Sequence, residues 1–326
     1  MLELYLNRPQ ELILREAPAP GAASDGQARV RVTHGGICGS DLRVYRGSIP
    51  YATYPLRPGH EVLGVVVEAG KDVPLAVGTR VVVEPNTFCG ACDYCRRGRT
   101  NICEQKTPIG VSADGAFAQE LLVEGKYLVP VPDEIPDELA ILIEPLSVTV
   151  HALKKAAISP DRSVAVLGCG TEGLFSIALA LFKGARVTAV DVNPRKFDVA
   201  KQLGDLRVLH PGDVGDEQFD VVVEAAGVRS SIEQSMRIVR PGGEIVAIGI
   251  TGEPVEYPVM KIVRSEVTIH GSIIYTLDDW ADAIGYLQDP RFNIRPILSK
   301  IMPLAEYQQA FADALSGDYA KIVLRF

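Results

Sequence analysis

A chain of 326 residues is too long for one typical hydrophobic core, and two domains are the natural expectation. With 47% apolar and 23% charged residues it has the composition of a folded globular protein, and a formal net charge of -8 argues against a nucleic-acid partner, which needs concentrated Lys and Arg. The N-terminus, MLELYLNRPQELIL, lacks the regions of a signal peptide, and the longest apolar run, 174–182, is about half a membrane span, so a cytoplasmic protein with no membrane partner is expected.

Residues 1–34 alternate strand-like runs (LELYL, ELILRE, ARVRVTH) with a loop rich in Pro, Gly and Ala at 18–26. The stretch 35–64, GGICGSDLRVYRGSIPYATYPLRPGHEVLG, then gathers Cys38, Asp41, His60 and Glu61, four residues able to bind or orient a metal. Cys38 leaves one apolar run; His60 and Glu61 open another, just after the turn signal Pro58-Gly59. Thiolate, imidazole and carboxylate suit zinc, and three protein ligands with a fourth place left for water or substrate make such a site catalytic. The alternative for Cys38 is a buried thiol beside an ordinary strand entry.

After a strand at 79–84 comes PNTFCGACDYCRRGRTNIC, in which Cys89, Cys92, Cys95 and Cys103 are spaced C-x2-C-x2-C-x7-C. Four thiolates can close a tetrahedron around one zinc with no open position, which makes this site structural. An iron-sulfur cluster has a similar local look, but no proline follows the last cysteine and no second cysteine run exists. Crowding of four of the six cysteines into one segment, without a secretion signal, favours metal over disulfides.

Residues 115–130 return to strands, and 139–157 read as helical. Glu144 precedes a proline in apolar surroundings (AILIEPLSV), a costly place for an unpaired carboxylate. It faces a cation, zinc being the economical answer, or shares a proton, or is a helix-N-terminal carboxylate beside a proline.

From Asp161 the pattern changes to strand-helix alternation. A strand at 163–167 runs into Gly168-Cys169-Gly170-Thr171-Glu172-Gly173, a helix follows, and the next strand ends at Asp191. The glycine fingerprint in that context marks a dinucleotide site, with the pyrophosphate at the helix N-terminus. Asp191 would accept from the adenosine ribose hydroxyls and repel a 2′-phosphate, favouring NAD over NADP; Arg195 and Lys196 lie close enough to blur that preference, or form a solvated helix face. Cys169 reads as a small buried residue. Alternation continues through strands at 219–224, 244–250 and 267–271 and helices at 230–239 and 275–287, giving a doubly wound parallel sheet. The closing pieces, 301–326, are expected to return to the first domain.

With GICGSD (36–41), GHEVLGVVVEAG (59–70), the four-cysteine lobe, EPLSV (144–148) and GCGTEG (168–173) in this order, the whole chain resembles the zinc-dependent medium-chain alcohol dehydrogenases, and EPLSV looks most like their sorbitol, threonine and polyol branch. The resemblance implies a GroES-like β-rich catalytic domain, 1–149 and 273–326, with an inserted Rossmann domain at 150–272. It implies two zinc ions per chain. The catalytic one would sit on Cys38 and His60, with Glu61 or Glu144 as third ligand or water-mediated partner, and Asp41 would orient the His60 ring. Ser40 matches the hydroxyl that takes the proton from the bound alcohol. Gly168, Gly170, Thr171, Glu172, Gly173, Asp191, Arg195, Lys196, Ala226 and Tyr275 would line the cofactor. A homodimer or homotetramer is implied, through the sheet edge around 266–272.

Two departures bear on the substrate. Many relatives end the proton relay on a histidine five positions after the zinc cysteine; here it is Arg43, too basic to accept a proton. The relay then ends in water or another group, or the enzyme works mainly in the reducing direction. Sorbitol-type enzymes carry an arginine where this chain has Ile274, which points to a smaller or less polar secondary alcohol. Tyr45, Ile49 and Tyr51 are candidate pocket walls, or plain packing. The expected activity is hydride transfer between NAD(H) and a secondary alcohol or short polyol and its ketone; the competing reading is a non-catalytic NAD-binding zinc protein, either a redox sensor or an interaction module.

Overall fold

In the computed structural model, which describes residues 1–326, Met1–Glu144 and Leu298–Phe326 form one packing unit and Pro145–Ile297 the other. The first is built on a seven-stranded sheet. Its path runs Leu298–Pro303, Lys321–Arg325, Gln27–Ile37, Glu61–Ala69, Arg80–Val83, Leu128–Pro130, with Glu120–Glu124 also paired to Gln27–Ile37. The alternation in QARVRVT sets which face is buried: Ala28, Val30 and Val32 point into a core shared with Val62, Val66, Val81 and Val83. Arg29, between them, reaches Glu68 and Glu120 on the neighbouring strands. Each such buried valine contributes about 1.5–3 kcal/mol. The closing strand Lys321–Arg325 inserts Ile322 and Leu324 into a second core with Phe117 and Phe311, which is why the C-terminal pieces belong to this unit.

The second unit holds a six-stranded parallel sheet in the order Arg207–Leu209, Arg186–Val190, Ser163–Leu167, Phe219–Glu224, Val239–Ala247, Thr268–Gly271. Counted along the chain this is 3-2-1-4-5-6, the doubly wound arrangement whose ligand crevice opens where the order reverses, at the C-terminal end of Ser163–Leu167. Covered on both faces, the central strand is apolar over Val164–Leu167, and its neighbour Phe219–Glu224 over Val221–Val223.

The unit boundary falls at 297/298 rather than at the 272/273 expected from sequence. The helix Leu277–Gln288 and the turn after it pack on Thr171–Phe182 through an aromatic trio, Phe182, Tyr286 and Phe292, and Asp279 is tied to His151 and Lys154. These contacts anchor 277–297 to the parallel sheet. No helix is long and apolar enough to cross a membrane.

Candidate active site and metal centres

The strands Gln27–Ile37 and Glu61–Ala69 are antiparallel with Gly36 opposite Glu61, so the end of one meets the start of the other. A Cβ on Gly36 would overlap Glu61 Oε2; the carboxylate lies directly across this glycine. Cys38 follows as N-cap of the helix Gly39–Arg46, where Asp41 accepts the Cys38 backbone N–H at 2.8 Å. The other Asp41 oxygen accepts the Gly59 N–H at 3.2 Å and lies 3.2 Å from His60 Nδ1. One buried carboxylate thus caps the helix start and stands beside the imidazole, whose Nδ1 has no hydrogen-bond partner.

The ligand atoms of Cys38, His60 and Glu61 lie within 4.8 Å of one another. Ser40 Oγ is 3.4 Å from His60 Nε2. Burial opposes a charge on His60, but Asp41 and Cys38 outweigh it and hold the imidazole well above its ordinary value. The buried Lys321 donates to both Glu61 oxygens, at 2.6 and 2.8 Å, and to the Ile37 carbonyl at 3.3 Å. A pocket that draws cationic partners to thiolate, imidazole and carboxylate donors fits zinc. Glu144, buried at the start of the helix Ile143–Leu153, is outside the group of three.

The four-cysteine lobe passes a metric test. A tetrahedron with zinc–sulfur arms of ~2.3 Å has edges of about 3.8 Å. The sulfurs stand 3.6 Å (Cys89–Cys103), 4.0 Å (Cys89–Cys95) and 4.0 Å (Cys92–Cys103) apart. Backbone N–H groups of Ala91 and Cys92 point at Cys89 Sγ, and those of Cys95 and Glu104 pull the Cys92 thiol down to about 6.

In the second unit Gly168 adopts φ +96°, open only to glycine without strain, and a Cβ on Gly173 would collide with the Gly168 carbonyl. Gly170 is the N-cap of Thr171–Phe182, with open space where a side chain would be. Asp191 accepts the Cys169 N–H at 2.6 Å and the Asn193 N–H at 2.7 Å, one on each oxygen, which fixes the carboxylate at its strand end. Thr149 donates to Glu172 Oε2 at 2.7 Å. Arg195 and Lys196 lie in the first turn of Pro194–Leu203; Lys196 is buried rather than part of a solvated face. The Ala226 N–H is held by Glu224, and Tyr275 is buried edge-on to Trp280. Cys169 is fully buried, and burial pushes its thiol up to about 12.

Of the proposed pocket walls, Ile49 lies in a core with Val44 and Leu56, and the Tyr45 ring packs at a tilt against Phe311; Tyr51 is 66% exposed. Sequence reading missed two residues. Lys321 left a faint signal as a lysine heading the apolar run KIVLRF, and Glu224 as the carboxylate ending VVVE, where its Oε1 accepts from the Ala226 and Gly227 N–H groups and Ser231.

Residues 24–133 match the family described as Alcohol dehydrogenase GroES-like domain, and 173–289 that described as Zinc-binding dehydrogenase. The chain is 32% identical over 325 residues to L-galactonate-5-dehydrogenase of Escherichia coli K12, covering 94% of this chain and 93% of the relative. A solved alcohol dehydrogenase from E. coli CFT073, complexed with NADH, has a TM-score of 0.91 at 27% identity, over 100% of this chain and 99% of that one. A solved zinc-binding dehydrogenase from Sinorhizobium meliloti 1021, bound to NADP, has a TM-score of 0.92 at 30% identity, with the same coverage of 100% and 99%.

Proposed function

The chain belongs to the zinc-dependent medium-chain alcohol dehydrogenase family and is a zinc-type oxidoreductase acting on CH–OH groups; from that premise we propose that it interconverts a secondary alcohol or short polyol and its ketone with NAD, at Cys38, His60 and Glu61. The observation that carries this reading is the meeting of those three ligand atoms within 4.8 Å, beside Ser40. A nicotinamide cofactor bound there would take up the hydride from the carbinol carbon, with one proton released. Zinc held there supplies the polarisation that brings a bound hydroxyl toward a pKa of about 7. Ser40 receives the hydroxyl proton and hands it to water, since Arg43 cannot accept one. Asp41 keeps the His60 ring in a single orientation, and Lys321 keeps Glu61 from turning away. Glu144 is a buried carboxylate in the first turn of the helix Ile143–Leu153, outside the group of three, and Glu61 serves as the third ligand.

Cys89, Cys92, Cys95 and Cys103 hold a second, structural zinc. Gly168, Gly170, Thr171, Glu172 and Gly173 cradle the cofactor pyrophosphate, Ala226 and Tyr275 flank the cofactor, and Asp191 selects NAD by meeting the ribose hydroxyls, with Arg195 and Lys196 beside it. Chains associate through the edge strand Thr268–Gly271, next to the exposed Val259, Met260 and Val263. Thiolate chemistry at six unbridged cysteines suits the reducing cytosol. The test is cofactor reduction by the zinc-loaded enzyme across a panel of secondary alcohols and polyols; zinc binding without reduction by any of them would return the chain to a non-catalytic role.

A further inference from the structure

We propose that the second unit carries a binding site for a small organic ammonium, a primary amine in its protonated form, seated on Glu224. The site is built wholly from that unit and goes beyond the dehydrogenase reading.

Glu224 ends the strand Phe219–Glu224 with 1% of its surface exposed. Its Oε1 is fully used, accepting the Ala226 N–H at 3.0 Å, the Gly227 N–H at 2.9 Å and the Ser231 hydroxyl at 2.6 Å. Its Oε2 is buried and has no hydrogen-bond partner, and no Lys, Arg or His pairs with the carboxylate. The other buried aspartates of this unit are placed differently. Asp220 meets Arg240 and Ser163, and Asp279 meets His151 and Lys154. Withdrawing a charged oxygen from water without a donor is costly, so Oε2 calls for a donor that the chain itself does not supply.

The oxygen also has room in front of it. Glu224 and Gly249 line one cavity of about 260 Å³, and a Cβ on Gly249 would come within 2.5 Å of Oε2, so this glycine keeps the oxygen open. No residue of the Gly168–Gly173 turn lines that cavity, nor does Asp191. Ile250 and Tyr257 belong to its wall and are exposed, which puts the mouth there.

The shape and donors of the cavity select the ligand. Its volume is several times the ~30 Å³ share of one water, and Ile232, Ile245, Ala247, Ile250 and Tyr257 make the wall largely apolar, so the ligand has a hydrocarbon body. A divalent metal ion needs six or more oxygen ligands, which such a wall does not offer. A guanidinium pairs best with two carboxylate oxygens, and here Oε1 is already taken. An ammonium is a compact charge that a single oxygen can meet. Ser235, on the same wall, gives its own proton to the Ile232 carbonyl at 2.7 Å, which leaves its oxygen to accept a second ammonium N–H.

The test titrates the full-length, zinc-loaded enzyme with n-butylammonium chloride near neutral pH, by calorimetry at constant ionic strength, with neutral butyramide as the comparison. One saturable site per chain is expected, with a dissociation constant about tenfold or more lower for butylammonium than for butyramide. Glu224→Gln keeps an acceptor oxygen for the Ala226, Gly227 and Ser231 donors and turns an amide NH2 toward the cavity, so butylammonium should weaken about tenfold or more. Ala247→Leu fills the cavity with the carboxylate left in place, should weaken both probes, and carries the test if Glu224→Gln fails to fold. Cys38→Ser should bind butylammonium as wild type does. Absence of saturable binding, equal affinity for the two probes, or undiminished binding in either cavity variant overturns the proposal. Loss of binding in Cys38→Ser overturns it too, by assigning the amine to the metal centre. Each of these outcomes leaves the dehydrogenase reading standing.

Discussion

Lys321 Nζ lies 2.6 and 2.8 Å from the two carboxylate oxygens of Glu61, an ion pair with 1% and 0% of its residues exposed that joins positions 260 apart in the chain. It pins the closing strand to the start of the strand that carries the metal-ligand cluster. Removing one partner leaves the other charge buried and uncompensated, which costs about 3–5 kcal/mol, whereas replacing both is often close to neutral. Lys321→Met should therefore lower the denaturant midpoint sharply, and Lys321→Met combined with Glu61→Gln should recover most of the loss. Urea unfolding of the three proteins checks this; equal midpoints for the wild type and the single variant would mean that the pair contributes nothing.

The Gly168–Gly173 turn, proposed to hold the cofactor, offers a steric test. A methyl group on Gly173 meets the Gly168 carbonyl, which is backbone and cannot swing aside. Gly173→Ala should displace the turn at a cost of about 1–3 kcal/mol, read as roughly a tenfold or greater rise in the NADH dissociation constant. A fluorescence titration with NADH measures it, and zinc content should not change.

In the cysteine lobe, Arg96, Arg97 and Arg99 are exposed between metal-ligand candidates. Cys103→Ser should lose one zinc per chain and open these arginines to trypsin, because a lobe with little apolar content has no other core to hold it. Limited proteolysis with zinc analysis on the same sample decides the matter. Intact, trypsin-resistant protein lacking that zinc would contradict the structural role.

A pH effect should come from Asp279. Burial alone would raise its pKa, but hydrogen bonds from His151, Lys154 and Thr276 outweigh burial and hold the carboxyl well below the usual range. Because folding lowers this pKa, its contribution is complete above the unfolded value of about 3.9 and is lost as pH falls through that value toward the folded one. Asp279→Asn should be less stable than wild type by about 1–3 kcal/mol at neutral pH. The gap should narrow as pH falls below about 4. Melting curves between neutral pH and pH ~3 test the sign.

Legibility in the sequence followed chain separation. The GCGTEG turn, the four-cysteine lobe and the Cys38–Asp41 capping pair are built from neighbours, so spacing and flanking elements announced them. His60 and Glu61 were visible because the strand they open is an unbroken apolar run. Lys321 was not, since nothing local says that a lysine heading the last strand faces a carboxylate 260 residues earlier. The second unit boundary was missed for a similar reason: helix periodicity placed an element at 275–287, but only the ring contacts of Phe182, Tyr286 and Phe292 show which sheet it packs on. Tyr45 and Ile49 followed the zinc cysteine closely enough to suggest a pocket, yet the helix Gly39–Arg46 turns Tyr45 toward Phe311, and the chain after its C-cap Gly47 carries Ile49 into the core.

The central claim is that Cys38, His60 and Glu61 form a catalytic zinc centre separate from the cysteine lobe. Its most direct test is zinc stoichiometry together with NADH formation from an accepted alcohol, in wild type and in Cys38→Ser. Wild type should bind two zinc ions, one for each ligand cluster. The variant should retain only the lobe zinc, bind NADH normally and produce no NADH from the alcohol. A Cys38→Ser protein that lacks one zinc yet turns over at the wild-type rate would contradict it.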